Sequence, residues 1–235
     1  MTITNRARVI GVVYLAYFLT AVGGALIAPG TGPGGPPTDA AANASNITSH
    51  ETAYQLGVAL GVISTVIYVA LTALFYVLLR PVNRTLALIM AFINLVAMAV
   101  VAAGSVLTLA PLAVLGGSPY LNVFDAKQLQ AIALLFLSVS AESGRVALGF
   151  SAFFQLVWGY LIFRSTFLPR AIGVAIAVAG VGWLTYLLPS QPAYLVTATE
   201  VVGFASEAAL MLWLIVMGVN AQRWNELAER SPTRA

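Results

Sequence analysis

Six long apolar stretches determine what this chain can fold into. They cover residues 9–28, 53–79, 86–110, 146–163, 171–188 and 195–219. About 20 helical residues are needed to cross the hydrocarbon core of a membrane, and most of these stretches reach that length. Because lipid offers no partners to backbone N–H and C=O groups, such segments are expected to cross as α-helices. The sequence therefore predicts an all-α polytopic membrane protein with six transmembrane helices in the lipid bilayer.

The composition agrees with a membrane protein. Of the 235 residues, 60% are hydrophobic and only 8% are charged, a balance unlike that of soluble domains. The chain has no cysteine, which excludes disulfides, thiol nucleophiles and thiolate metal sites. Since no hydrophilic block is long enough to fold alone, residues 1–235 are expected to form a single transmembrane domain. The small net charge of +3 concerns topology, and no nucleic-acid partner is expected.

The basic residues indicate the orientation of the predicted bundle. Nine arginines fall on one side of it: Arg6, Arg8, Arg80, Arg84, Arg164, Arg170, Arg223, Arg230 and Arg234. Lys127 and Arg145 fall on the other. The positive-inside rule then places both termini in the cytoplasm of a cell whose inner (plasma) membrane holds the chain. The first apolar stretch could instead be a signal peptide, but it exceeds the 7–15 residues typical of a signal core.

Two polar segments lie outside the spans. Residues 29–52 contain "PGTGPGGPP", whose glycines and prolines cannot continue a helix, so an external loop is expected. Residues 221–235 are expected to form a cytoplasmic tail. The glycine-rich sequence lacks the strand-to-helix setting of a phosphate-binding loop, and no cofactor is expected.

A further external helix is predicted at about residues 125–142. Asp125 is suited to cap its first turn, and apolar residues then recur at helical spacing. About 14 apolar-rich residues are short for a span, which favours an amphipathic or re-entrant helix over the bundle. The alternative is one unbroken helix running into the fourth span, with a bend possible at Gly144.

Two stretches carry a resemblance to a known family. "RARVIGVVYLAYFLT" near the start and "LGFSAFFQLVWGYLIFRSTFLPRAIGVAIAVAGVGWL" later resemble a bacterial family of small six-span integral membrane proteins of unknown function. The order of an aromatic-rich span, Arg-Ser, Phe-Leu-Pro-Arg and a glycine-spaced span is the more specific part. The resemblance extends over nearly the whole chain apart from the glycine–proline loop. It implies six spans and supplies no activity.

The spans also contain features typical of helix packing. Gly57 and Gly61 lie one turn apart, which predicts close contact between helices within the bundle. Aromatic residues near span ends, Trp158 and Trp224 among them, are expected to lie at the headgroups.

Two carboxylic acids inside the sixth span are the main indication of function. Glu200 and Glu207 are seven residues apart, almost two helical turns, so they share one face about 10 Å apart along the axis. Counted from residue 219, Glu207 lies roughly 18 Å above the cytoplasmic boundary, near mid-membrane, and Glu200 near the external surface. An acid at the centre of a span costs about 2.5–3.5 kcal/mol. It should therefore face the interior and meet partners, or carry a proton.

Three polar residues in other spans have a similar depth. Asn94 and Gln155, counted from the nearest arginines, lie about 13–15 Å above the cytoplasmic boundary, and Tyr68 reaches a similar level. They are the substrate-binding candidates that accompany Glu207 and Glu200 as proton donor or acceptor candidates. Sequence gives only depth, since helix rotation and bundle order decide which groups face each other.

Further charges are expected at the external mouth. Glu142 and Arg145 are three residues apart and can pair on a helix, which makes them additional binding candidates. His50 and Glu51 precede the second span and are weak metal candidates, together with Glu142 and Glu200. Because no ligand spacing is present, surface charges that cap helices are the preferred interpretation, and no metal is expected.

Three functions are consistent with these residues. The first is a binding or transport bundle whose acidic pocket takes a lipophilic or cationic small molecule, with coupling to protons through Glu207. The second is a membrane-embedded acid–base enzyme acting on an apolar, isoprenoid-like substrate, for example a cyclase. The third is a non-catalytic accessory protein. Nothing in the sequence indicates a homo-oligomer.

Overall fold

The fold consists of helices throughout the part of the chain that is described. The computed structural model describes residues 2–28, 38–188 and 192–230. Its α-helices are α1 (Ile3–Ile27), α2 (Ala40–Ser49), α3 (Glu51–Leu79), α4 (Arg84–Leu115), α5 (Ala126–Arg164), α6 (Arg170–Leu184), α7 (Ala193–Val216) and α8 (Ala221–Arg230). Short 3-10 helices follow α4 at Pro119–Leu121 and α6 at Thr185–Leu187.

Six helices in these ranges are long and apolar enough to cross a membrane. They are α1, α3, α4, α5, α6 with its 3-10 extension, and α7. Large apolar side chains such as Leu19, Val106 and Val201 are exposed, at 66%, 68% and 62%. Apolar surface on this scale is unfavourable in water and favourable against lipid chains. The predicted six-span, all-α membrane protein is confirmed.

The fourth span takes the second of the two forms considered for it. α5 is one continuous helix of 39 residues, and Gly144 lies inside it. The favoured interpretation, a separate external helix at about 125–142, is corrected to an extension of the span. A single glycine costs a helix only about 1 kcal/mol, so Gly144 by itself does not end the helix. Asp125 does cap the helix, since its carboxylate accepts the Gln128 backbone N–H at 2.9 Å.

Two short helices lie in segments that were expected to be a loop and a tail. α2 begins after Asp39, whose carboxylate accepts the N–H groups of Ala41 and Ala42. α8 begins after Asn220, whose side chain accepts the N–H of Arg223 at 3.1 Å. Residues 29–37 of the predicted loop and residues 231–235 of the predicted tail lie outside the described residues.

The chain forms two compact units, and the helices α1, α3, α4 and α5 contribute residues to both. The first unit comprises Met1–Ala16, Ile67–Met98 and Val146–Ala235, and the second comprises Tyr17–Val66 and Ala99–Arg145. That the whole chain is one transmembrane domain stays a prediction.

Glycines bring helices close together in the first unit. A Cβ atom on Gly159 of α5 would lie 2.6 Å from the Gly173 carbonyl oxygen of α6. A Cβ atom on Gly11 of α1 would lie 2.7 Å from the Ile215 backbone nitrogen of α7. Contacts this short are possible only without a side chain, so these helices pack backbone to backbone.

The second unit packs in the same way around a buried tyrosine. A Cβ atom on Gly57 would lie 2.9 Å from the Gly24 carbonyl oxygen, so α1 and α3 are in close contact there. The fully buried Tyr54 packs with Ala28 and Ile47, and its hydroxyl donates to the Thr108 carbonyl at 2.5 Å. The close helix contact predicted for Gly57 is present.

Candidate functional site

Glu207 lies in the interior part of α7 and accepts hydrogen bonds from two other helices of the first unit. The Tyr14 hydroxyl on α1 donates to one carboxyl oxygen at 2.6 Å. The Gln155 amide nitrogen on α5 donates to the other at 2.8 Å. Tyr14 is fully buried and Gln155 is 4% exposed. These three side chains are called the Glu207 site below.

Local packing explains why α1 reaches this carboxyl. Gly11 precedes Tyr14 by one turn and lets α1 approach the α7 backbone at Ile215. On α7, the buried residues Gly203 and Leu210 lie four residues before and three residues after Glu207. Because residues three or four apart share a helix face, the acid is on the same side of α7 as these packing residues.

Tyr14 also belongs to a group of five mutually packed aromatic rings, called the ring cluster: Tyr14, Tyr68, Phe75, Phe154 and Trp158. The Tyr14 centroid lies 5.8 Å from Phe75, 6.4 Å from Tyr68 and 6.4 Å from Trp158. Phe75 and Trp158 are 4.8 Å apart with their planes tilted by 62°. Tyr14 is the one residue of the ring cluster that is also part of the Glu207 site. Its hydroxyl contacts the carboxyl and its ring contacts the other rings, so Tyr14 connects the two groups.

Several buried polar atoms near these groups lack a hydrogen-bond partner. They are the Gln155 side-chain oxygen, the Trp158 indole N–H and the Asn94 side-chain oxygen. The Asn94 amide nitrogen does donate, to the Thr72 hydroxyl at 2.5 Å, one turn along α3 from Tyr68. Buried polar atoms are normally paired with protein or water, so the orphans on α5 are hydrogen-bonding groups that a further polar partner would satisfy.

Among the residues that the structure describes, no basic side chain pairs with the carboxyl of Glu207. Within residues 2–28, 38–188 and 192–230, the one ion pair joins Arg145 to Glu142 at 3.0 Å. Glu207 instead meets a hydroxyl and an amide. Both partners are neutral, so an ionised Glu207 would keep its net negative charge unless a proton or a cation is bound.

Glu200 has a different environment on the same helix. The Tyr186 hydroxyl, in the 3-10 helix after α6, donates to it at 3.1 Å. The Tyr186 ring packs on Trp183 with centroids 5.2 Å apart, and Gly203 on α7 lies against the same tryptophan. The structure therefore gives the two acids separate partners.

The remaining predicted residues are engaged locally. Nη1 of Arg145 donates to both carboxylate oxygens of Glu142, at 3.0 and 3.2 Å, and both side chains are exposed. The His50 ring contacts the Asn46 carbonyl at 3.1 Å, and Glu51 accepts the Gln55 amide at 3.0 Å. Among the described residues, no three histidine, aspartate or glutamate side chains come together to hold a metal ion.

The structure unites Tyr68, Gln155 and Glu207 around a residue that the sequence did not single out, Tyr14. A tyrosine near the start of the first apolar stretch, residues 9–28, is a weak signal, because tyrosines are common near membrane surfaces. Trp158 was expected at the headgroups and is instead fully buried. Its distance from Arg164, about one and a half turns, was the misleading signal.

Comparison with known proteins identifies the family. One protein family, described as a domain of unknown function (DUF4386), matches the chain over residues 9–218. No match was found to a curated protein or to a solved structure.

Proposed function

The chain belongs to the DUF4386 family, a domain of unknown function, and from its geometry we propose that it binds a lipophilic organic cation, such as a protonated amine, at Glu207. The observation that carries this proposal is the carboxyl group itself. It belongs to a membrane-spanning helix, accepts bonds from Tyr14 and Gln155, and has no basic partner among the described residues. A bound proton or a cationic ligand is what can balance such a charge.

The ring cluster supports an organic cation over a metal ion. Aromatic faces attract ammonium groups within about 6 Å of the ring centroid, and the attraction is larger where water is excluded. Tyr14 contacts the carboxyl through its hydroxyl, and the rings of Tyr68 and Trp158 lie 6.4 Å from the Tyr14 ring, centroid to centroid. A metal ion would need several oxygen or nitrogen ligands, and three acidic or histidine side chains do not meet anywhere in the described ranges.

The orphan atoms support a ligand that carries an N–H group. The Gln155 oxygen lacks a donor, and a protonated amine that contacts Glu207 has N–H groups to give. The Trp158 indole N–H lacks an acceptor, which a water molecule or an oxygen on the ligand would supply. A lipophilic amine would thus satisfy both the charge and the unpaired acceptor.

Proton coupling follows from the competition for one carboxyl. Glu207 would hold either a proton or the cation, since the two neutralise the same charge. An exchanger would release the proton to the side from which the cation enters, and after opening to the other side it would release the cation there and take up a proton. This extension concerns transport, whereas the proposal itself concerns binding.

Binding of tetraphenylphosphonium tests the proposal, because this lipophilic cation keeps its charge at every pH. Wild type in lipid nanodiscs should bind it, should release it to a lipophilic tertiary amine, and should bind it more weakly as the pH falls and protons compete. Glu207→Gln should weaken binding by roughly tenfold or more, since a desolvated charge contact is lost. The pH dependence should disappear in the same variant.

Glu200→Gln is the matched control, because it makes the same change on the same helix at an acid with other partners. It should bind tetraphenylphosphonium within about twofold of wild type. If folded Glu207→Gln binds like wild type, the acid only bonds helices together and the proposal fails. If binding depends on Glu207 as proposed, uptake of the cation into proteoliposomes under a pH gradient separates transport from binding alone.

A further inference from the structure

A groove of about 700 Å³ lies where two spans join, and it shares no lining residue with the Glu207 site. It is called the arginine groove, and its lining combines the α5–α6 turn with one side of α8: Thr166, Leu168, Pro169, Arg170, Arg223, Glu226, Leu227 and Arg230. α5 ends at Arg164 and α6 begins at Arg170. Because both helices span the membrane, their junction lies at its surface, at the level of the lipid headgroups.

The charge of the groove is positive. Three arginines and one glutamate line it, which gives +3 − 1 = +2. The Glu226 carboxylate is engaged by the Gln222 amide at 3.2 Å. Arg223 uses one N–H for a backbone carbonyl at 2.9 Å, and a guanidinium has five. The arginines therefore retain donors for an anion, in the fork geometry that suits phosphate.

The α5–α6 turn holds one of these arginines in place. Thr166 has a φ of 57°, which is unusual for a β-branched residue, and the Phe167 N–H bonds across it to the Ser165 carbonyl at 2.7 Å. The buried side chains of Ser165, Phe167 and Leu168 fix this turn. The Thr166 carbonyl accepts a hydrogen bond from the Arg223 guanidinium, so the turn holds this side chain at the groove.

α8 supplies the other wall and combines charge with apolar surface. Its groove residues Arg223, Glu226, Leu227 and Arg230 follow the spacing of one helix face. The Trp224 indole N–H donates to the Leu78 carbonyl at 2.9 Å, which ties α8 to the end of α3. With Leu168 and Leu227 in the lining, the groove offers arginines for a phosphate and leucines for the start of an acyl chain.

We propose that the arginine groove binds the phosphate headgroup of an anionic phospholipid from the adjacent leaflet. Its position at the ends of two spans, its charge of +2 and its leucines favour a lipid over a soluble phosphate compound. α6 begins at the groove, and its first turn has no side-chain cap. The N-terminus of a helix favours an anion, as the arginines do. If both termini are cytoplasmic, as predicted, the lipid comes from the cytoplasmic leaflet.

Native mass spectrometry of the full-length protein, with dioleoyl phosphatidic acid as the probe, tests the proposal. Wild type should retain one phosphatidic acid in preference to phosphatidylcholine. The double variant Arg170→Gln, Arg223→Gln should weaken retention by roughly tenfold or more, because two charge-assisted contacts are lost. Arg164→Gln is the matched control, since it removes one arginine from the same turn but from outside the lining, and it should change retention less than about twofold.

Three results would overturn the proposal. The double variant could fold, as judged by an unchanged melting temperature, and retain the lipid like wild type. Arg164→Gln could weaken retention as much as the double variant, which would indicate unspecific attraction to the membrane surface. Inorganic phosphate at millimolar concentration could displace the lipid completely, which would assign the groove to a soluble phosphate compound.

Discussion

Two fully buried tyrosines, one in each compact unit, differ in what their hydroxyl groups meet. Tyr14 donates to the Glu207 carboxyl at 2.6 Å, and Tyr54 donates to the Thr108 backbone carbonyl at 2.5 Å. A backbone carbonyl cannot change its charge, whereas a carboxyl can gain or lose a proton. Two equally buried tyrosines therefore differ in role: Tyr54 makes a structural bond to the backbone, and Tyr14 contacts a group that can titrate.

The second unit repeats this structural use of polar groups. The Ser140 hydroxyl donates to the Gly104 carbonyl at 3.0 Å and contacts the Thr108 hydroxyl at 2.8 Å. Unpaired polar atoms occur in both units: Gln155 and Trp158 have them near Tyr14, and Asn43 has one in the second unit. The difference between the units is therefore the titratable carboxyl that Tyr14 contacts, which no backbone carbonyl can replace.

The largest expected effect tests whether the second unit depends on packing. In Gly57→Val, the Cβ atom would lie 2.8 Å from the Ala28 nitrogen and 2.9 Å from the Gly24 oxygen, backbone atoms that cannot rotate away. We expect a loss of about 3 kcal/mol or more in the free energy of unfolding, measured by denaturant titration in detergent. Gly61→Val is the control, because no heavy atom lies within 4 Å of its added Cβ; equal losses would contradict the packing argument.

A smaller effect is expected where the first unit loses a donor to its acid. Gln155→Leu removes the bond to Glu207, and we expect the free energy of unfolding to fall by about 1–1.7 kcal/mol, the upper range for polar contacts between membrane helices. Gln55→Leu deletes an equivalent amide–carboxylate contact at an exposed position, and its cost should stay below about 0.5 kcal/mol. Similar losses in the two variants would remove the distinction between the sites.

The two tyrosines can be compared directly by removing only their hydroxyl groups. Tyr14→Phe and Tyr54→Phe should each lower the free energy of unfolding by about 0.6–1 kcal/mol. At alkaline pH, only Tyr14→Phe should change tetraphenylphosphonium binding, making it about threefold tighter because the carboxylate loses a charge-assisted donor. A change of binding in Tyr54→Phe, or none in Tyr14→Phe, would show that the comparison does not extend to ligand binding.

The smallest effect is expected at the exposed ion pair. Arg145 and Glu142 have side chains 41% and 66% exposed, so water already solvates both charges. Arg145→Gln should change the free energy of unfolding by less than about 0.5 kcal/mol and leave tetraphenylphosphonium binding unaltered. A marked loss of tetraphenylphosphonium binding would contradict this expectation and indicate that Arg145 and Glu142 contribute to ligand binding.

Part of the candidate site could be predicted from the sequence. An acid inside a span must face partners, and counting turns places Gln155 and Tyr68 at a depth that agrees with their positions around Tyr14. Tyr14 itself was missed, because a tyrosine is compatible with both a membrane surface and a buried site. The enzyme and accessory-protein hypotheses stay predictions.

The sequence by itself determined the membrane class, the six spans and the unusual position of Glu207. These follow from hydrophobicity and helix geometry, which act within each segment. Only the tertiary structure decided that α5 is continuous, that Tyr14 and Gln155 meet Glu207, and that Arg170 and Arg223 line one groove. Such pairings depend on helix rotation and on glycine contacts between segments distant in sequence, where packing rather than local preference sets the outcome.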